Sequence, residues 1–72
     1  MKQILYHGYK VTGTAKNEEG VWRPHTHISW AGGRQEEKLQ DSNGFTTQRD
    51  AEEYALQSGK QWISNHRQGS LF

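Results

Sequence analysis

The sequence predicts an α+β domain in which a three-stranded antiparallel β-meander is covered on one face by one C-terminal α-helix, in the order β-β-β-α. Three observations lead to this prediction. Apolar and polar residues alternate in the N-terminal half, which is the two-residue period of a half-buried strand. Turn sequences containing glycine interrupt the alternation, and residues 45–63 repeat apolar side chains with the period of a helix.

Composition limits both the size of the domain and its chemistry. The chain has 72 residues, of which only 31% are hydrophobic, so the core must be small. A net charge of +1 drives binding to nucleic acid only if charge is segregated onto one face. The absence of cysteine excludes disulfides and thiolate metal sites. The sequence has no signal-peptide pattern and no run of about eighteen apolar residues, so we expect a cytoplasmic protein without membrane contact.

The first predicted strand covers residues 4–15, and a turn at residues 17–20 connects it to the second. Tyr9 and Val11 share one parity in the first strand and should face the core. The turn ends in Gly20, the residue that best tolerates a positive φ. These features predict a β-hairpin.

The second predicted strand, residues 21–31, separates two kinds of side chain most clearly. One parity carries the core candidates Trp22, Thr26, Ile28 and Trp30. The other parity carries Arg23, His25, His27 and Ser29. Pro24 has no N–H to donate, so it predicts either a bulge or a position whose N–H would point to solvent, and therefore an irregular start to the strand.

The third predicted strand covers residues 34–41 and follows a turn at Gly32-Gly33. Leu39 is its one strong core residue, and the remaining side chains are polar or charged. Charged side chains on an outer strand would discourage pairing with another sheet edge.

The helix predicted over residues 45–63 has a clear start. Thr47 is a good N-cap, with Asp50 at the third helical position. One stripe of the helix carries Ala51, Ala55, Ser58 and Trp62, flanked by Tyr54, Leu56, Gly59 and Ile63. The glycine at position 59 costs about 1 kcal/mol of helix propensity, which predicts that a large side chain, Trp22 or Trp30, needs the space.

Asn65 and His66 can end the helix. The predicted organisation is therefore a single domain over residues 1–64 and a flexible polar tail over residues 65–72. Trp62 should meet the side of the sheet that carries Trp22, Ile28 and Trp30.

The sheet face away from the helix is the strongest candidate site. If the parities hold, it forms a polar, mildly basic surface for nucleic acid or another anion, built from Lys10, Thr12, Arg23, His25, His27, Lys38 and Gln40. A sheet can enter the major groove of DNA, where Arg and Lys contact phosphates or guanine, and Thr and Gln contact bases. The alternative is a solvated surface without a ligand, because any uncovered sheet face must be polar.

Other site chemistries have weaker support. His25 and His27 lie on one side of a strand and are candidate metal ligands with His7 as a conceivable third, but nothing supplies a full zinc ligand set. Two exposed histidines without a metal are the alternative. We expect no cofactor, and we expect no catalysis because the adjacent Glu36-Glu37 and Glu52-Glu53 pairs diverge and no nucleophile motif is present.

Apolar and aromatic side chains suggest two further partners. The three tryptophans could stack on single-stranded nucleic acid, but their parity favours the core. Leu56 and Leu71-Phe72 are the groups best able to support a homodimer or another protein partner.

Two resemblances add to these predictions. Over about residues 6–64, the chain resembles small stand-alone bacterial proteins of uncharacterised function. The residues that carry this resemblance are Tyr9, Gly20-x-Trp22, Phe45-x-Thr47, Asp50-Ala51-Glu52 and Trp62-Ile63. That resemblance implies the β-β-β-α fold and no particular activity.

The second resemblance is local. Residues 44–56, GFTTQRDAEEYAL, are similar to the junction between sheet and helix in the arm-site-binding N-terminal domains of tyrosine recombinases. This likeness implies three strands and a helix, a sheet that enters the major groove, and DNA-facing side chains at Lys10, Arg23, His25 and Lys38. The third predicted strand departs from that pattern at Glu36 and Glu37, where a DNA-binding sheet would prefer Lys or Arg.

Together, these observations predict a small binding or accessory domain without catalytic activity. A DNA-binding protein that uses the open sheet face is one alternative. A protein-protein interaction module or homodimer is another.

Overall fold

The computed structural model describes residues 1–69, which form one antiparallel sheet and one helix. The four strands lie in sequence order in the sheet: β1 (Lys2–Tyr6), β2 (Tyr9–Glu18), β3 (Val21–Trp30) and β4 (Gln35–Gln40). Helix α1 (Gln48–Gly69) follows them. The α+β class, the antiparallel meander and the C-terminal helix are confirmed, whereas the number of strands is four and not three.

The additional strand arises from a turn that divides the first predicted strand. His7 and Gly8 have φ values of 51° and 83°, and they form a two-residue loop closed by the pair Tyr6↔Tyr9. Two successive positive φ values are typical of a type I′ hairpin turn. The turn also changes the parity. A continuous strand would send Ile4 to the opposite face from Tyr9, but the hairpin places both on the side of the core.

The pairing of β2 with β3 is regular along its whole length. It runs from Lys10↔Ser29 to Glu18↔Val21, and it includes Ala15↔Pro24 without an extra residue on either strand. The predicted bulge and irregular strand start at Pro24 are therefore wrong. Pro24 is buried, and its carbonyl accepts a hydrogen bond from Asp41 N–H at 3.4 Å just beyond the end of β4.

The N-cap at Thr47 is confirmed, although the helix begins at Gln48 and not at residue 45. Phe45 is joined to Trp22 by two backbone hydrogen bonds of 2.9 Å, which attach the incoming chain to β3. Thr47 Oγ1 then accepts a hydrogen bond from Asp50 N–H at 3.1 Å, as an N-cap does.

The end of the helix differs from the prediction. α1 continues past Asn65 and His66 to Gly69, so residues 65–69 of the predicted tail are helical. The rest of that tail lies outside the described residues, and so does the predicted Leu71-Phe72 contact.

The core lies between α1 and the two central strands. Val11, Ile28 and Ile63 are fully buried, and Ala51 and Ala55 bring the helix close to the sheet. Leu39 packs against this core from β4, as predicted.

Small residues allow the close approach of helix and sheet. A Cβ atom on Gly13 of β2 would lie 2.7 Å from the carbonyl oxygen of Glu52 in α1. A Cβ atom on Gly59 would lie 2.6 Å from Cγ1 of Val11 and 3.0 Å from Cγ2 of Thr26. The prediction that Gly59 makes space for a tryptophan is therefore wrong, because a β-branched pair occupies the space.

Trp62 lies on the predicted side of the sheet, with its ring centroid 5.6 Å from that of Trp30. It is only half-buried, however, as is Ser58. The centre of the buried stripe is instead formed by Ala51, Ala55, Gly59 and Ile63. The helix is thus rotated slightly from the orientation that the sequence predicted.

Candidate functional site

The open face, which we define as the surface of the sheet opposite α1, carries all seven predicted site residues. Val11, Thr26 and Ile28 are buried beneath the helix, so residues of the other parity on β2 and β3 point away from it. The register assembles these side chains into four cross-strand rows. The first row contains Lys10 and Ser29, and the second contains Thr12, His27 and Lys38. The third contains Thr14, His25 and Gln40, and the fourth contains Lys16 and Arg23.

The open face carries more positive than negative groups. Four cations lie on it: Lys10, Lys16, Arg23 and Lys38. Two carboxylates, those of Glu18 and Glu36, share the surface. The sequence-based prediction omitted Lys16 because it ended the first strand at residue 15. The parity that Lys16 shares with Lys10 was the signal that could have found it.

Both carboxylates on the open face are paired. Glu18 Oε1 lies 2.8 Å from Nε of Arg23, whose Nη1 also donates to the carbonyl of Ser42. Glu36 Oε2 lies 3.0 Å from Nε2 of His27. The hydrogen bond from His27 and then the nearby charge of Lys38 hold the pKa of Glu36 below its ordinary value. Glu36 is therefore an anion within a basic surface.

The lysines of the open face are more available than its arginine. Within residues 1–69, no carboxylate lies within ion-pair distance of the ammonium groups of Lys10, Lys16 and Lys38. Arg23, in contrast, is held at one end of the face by two partners. It borders a concave region that is lined by Lys16, Glu18, Arg23, His25, Gln40, Asp41 and Ser42.

Two further carboxylates, those of Glu52 and Glu53, lie on the other side of the molecule, near the start of α1. Glu52 is 6% exposed and accepts hydrogen bonds from the amino group of Met1 at 2.6 Å and from Gln48 at 3.1 Å. The hydrogen bond from the Met1 amino group is the main cause that lowers the pKa of Glu52 below 4.5, against the opposing effect of burial. Glu53 pairs with Lys2 at 3.0 Å. The sequence did not indicate that Glu52 is buried.

The candidate metal ligands do not come together. His25 and His27 share the open face as predicted, but His7 lies in the turn between β1 and β2, several residue rows away. In the part of the chain that the structure describes, no three His, Cys, Asp or Glu side chains converge as metal ligands would.

The apolar surface is distributed differently from the prediction. Leu56 packs against the core and is half-buried, so it is not the exposed apolar group that was expected. The tryptophans also pack on the helix side, where Trp30 and Trp62 contact the core. The large hydrophobic side chains that are exposed among residues 1–69 are Met1, at 78%, and Leu5, at 82%. Leu5 lies on the open face beside Lys10.

No helix within residues 1–69 combines the length and the apolar character needed to cross a membrane.

Comparison with known protein families identifies one family that matches the chain. A family model described as "Domain of unknown function (DUF6566)" matches residues 2–71. The chain belongs to this family. The match spans all four strands and the helix, and it agrees with the predicted likeness to small proteins of uncharacterised function. The likeness to recombinase domains stays a prediction. Neither the comparison with curated proteins nor the comparison with solved structures gave a match.

Proposed function

We propose that this domain is a non-catalytic binding module whose open face binds duplex DNA in the cytoplasm. The observation that carries the proposal is the strand register, which collects Lys10, Lys16 and Lys38 on one uncovered face. Lysines without carboxylate partners can contact phosphates without first breaking an ion pair.

The width of the part of the sheet that carries the predicted site residues supports this proposal. Neighbouring strands lie about 4.8 Å apart, so β2, β3 and β4 span about 10 Å, which is comparable with a major groove about 12 Å wide. The open face also carries Thr12 and Thr14 on β2 and Gln40 at the end of β4, whose side chains can donate to and accept from base edges. The lysines would supply the phosphate contacts, which position a protein on the duplex.

The distribution of charge favours the same orientation. Asp50, Glu52 and Glu53 lie in the first turns of α1, on the side of the molecule opposite the lysines of the open face. The Met1 amino group, Lys2 and Arg49 pair with Glu52 and Glu53 there, whereas the open face keeps four cations against two carboxylates, which would orient that face towards a polyanion.

Titration of a random-sequence duplex of about 20 base pairs, at about 50 mM and about 200 mM salt, tests the proposal. The double variant Lys10→Gln/Lys38→Gln should bind about tenfold more weakly at low salt, and the slope of log affinity against log salt should fall by about 2.

The matched control is the double variant Arg49→Gln/Lys60→Gln. It removes the same charge from α1, where Arg49 lies near Glu53 and Lys60 lies over the ring of Tyr6. We expect it to keep most of the affinity. Equal losses in the two double variants would contradict binding through the open face, and the absence of any salt-dependent binding would contradict DNA binding itself.

A further inference from the structure

The two edges of the sheet differ sharply in charge. The order β1-β2-β3-β4 leaves β1 and β4 with one free side each. Three of the six residues of β4 are charged: Glu36, Glu37 and Lys38. β1 has one charged residue among five, Lys2, and its Nζ is already 3.0 Å from Glu53. Charged side chains are a common protection against edge pairing, so β4 has this protection and β1 lacks it.

Apolar exposure is concentrated at the same edge. Leu5, with 82% of its surface exposed, lies in β1, and Met1, with 78% exposed, immediately precedes this strand. Ile4 is only half-buried although it packs against the core. An edge strand with few charged residues and exposed apolar side chains is a template for pairing with another strand.

The turn geometry determines which backbone groups of β1 are free. In a hairpin with a two-residue loop, the closing pair Tyr6↔Tyr9 exchanges hydrogen bonds, and every second pair after it does the same. Lys2, Ile4 and Tyr6 therefore direct their N–H and C=O groups towards β2. Gln3 and Leu5 direct theirs towards the free edge.

We propose that two copies of this chain associate through antiparallel pairing of their β1 strands, centred on Ile4. In this register Gln3 of each copy lies opposite Leu5 of the other, so the outward N–H and C=O groups form four hydrogen bonds. Ile4 meets Ile4 on the helix side, and Lys2 lies opposite Tyr6, so no like charges face each other. The contact is self-complementary, as a two-fold dimer requires.

The dimer would have an eight-stranded sheet with both helices on one side. The two-fold axis of this antiparallel pairing is perpendicular to the sheet, so the helix-covered faces of the two copies lie on the same side. Both open faces then form one surface, with Lys10 of the two copies on either side of the junction. The pairing of β1 does not depend on DNA binding.

The contact should be weak and reversible. Five residues pair in each copy, which buries less than the roughly 1,200 Å² of a standard stable interface. The population of the dimer must therefore depend on protein concentration.

Sedimentation equilibrium from about 10 µM to about 1 mM tests the inference, with folding of each variant checked by circular dichroism. The average mass of the natural chain should rise from 8.3 kDa towards twice that value. Leu5→Lys should remain monomeric, because two added charges would face the junction. Since Leu5 is exposed, this substitution should leave the fold intact.

Gln35→Lys is the matched control, because it adds the same charge to the opposite edge strand, where position 35 is exposed. It should associate like the natural chain. In a mixture of ¹⁵N-labelled and ¹³C-labelled chains, intermolecular contacts between Gln3 and Leu5 should appear. A monomer at every concentration, association that survives Leu5→Lys, or loss of association in Gln35→Lys alone would overturn the inference.

Discussion

Gly59 of α1 lies directly against Val11 of β2: a Cβ atom on the glycine would come within 2.6 Å of Cγ1 of the valine. This contact lets the helix lie close to the sheet at the centre of the core. It also explains why a poor helix former is found in the middle of the helix.

Gly59→Ala should destabilise the domain by about 1–3 kcal/mol, even though alanine favours a helix by about 1 kcal/mol. The added methyl group would also lie 3.0 Å from Cγ2 of Thr26, so neither neighbour can move aside freely. Urea unfolding measures the change. Ser58→Ala, one position away and half-buried, is the control and should change stability little.

The double variant Gly59→Ala/Val11→Ala separates crowding from other causes. If crowding against Val11 is the cause, removal of the valine methyl groups should reduce the cost of the alanine at position 59. A coupling energy near zero in this cycle would show that the close contact does not determine the stability.

The N-cap of α1 gives a second prediction. Thr47 Oγ1 accepts the hydrogen bond from Asp50 N–H, so Thr47→Ala should lower the free energy of unfolding by about 0.5–2 kcal/mol. Thr46→Ala removes the neighbouring exposed hydroxyl, which makes no cap, and should have a smaller effect. Equal losses in the two variants would show that the cap is not the source of the stability.

Glu52 should make the stability depend on pH in the acid range. Its pKa in the folded state is below 4.5 because the Met1 amino group donates to its carboxylate. A lowered pKa means that the ionised group contributes stability above the unfolded pKa, and that this contribution is lost as pH falls through the folded pKa.

In Glu52→Gln, the loss of stability between about pH 5 and about pH 3 should therefore be smaller than in the natural chain. Thermal unfolding at several pH values measures the slope. Glu53→Gln is the comparison, because Lys2 lowers the pKa of that carboxyl too, but its side chain is half exposed and solvent screens the pair. A steeper acid slope in Glu52→Gln would contradict this account.

A fourth prediction rests on the proposed DNA binding. Glu36 places a negative charge on the open face, so Glu36→Gln should increase affinity for duplex DNA about two- to fivefold at low salt. Glu37→Gln removes the same charge from the other side of β4 and should change affinity less. Weaker binding by Glu36→Gln would contradict this prediction. It would indicate that the contact between Glu36 and His27 orients side chains that bind DNA.

Much of this fold was accessible from local sequence patterns. The alternation in residues 21–31 correctly assigned Arg23, His25 and His27 to the open face, because the two-residue period of a strand leaves only two choices of side. The N-cap at Thr47 followed from the chemistry of one hydroxyl and one nearby N–H. Such features depend on residues that are close together in the chain.

The hairpin at His7-Gly8 is an intermediate case. Ile4 and Tyr9 lie on opposite parities, and one continuous strand would have exposed one of them. We predicted one strand over residues 4–15, and only the observed pairing of β1 with β2 shows that a turn divides it.

Other features of the fold depend on contacts between segments that are far apart in the chain. The Met1 amino group bonds to Glu52, 51 positions away, and Gly59 meets Val11, so neither contact leaves a periodic signal in the sequence. Burial of Glu52 and the rotation of the helix towards Ile63 follow from how closely helix and sheet can pack. Local alternation assigned side chains to the correct face within β3, where no turn interrupts the strand. Packing between distant segments decided which residue meets which, because such contacts depend on the combined shape and volume of side chains that are far apart in the chain.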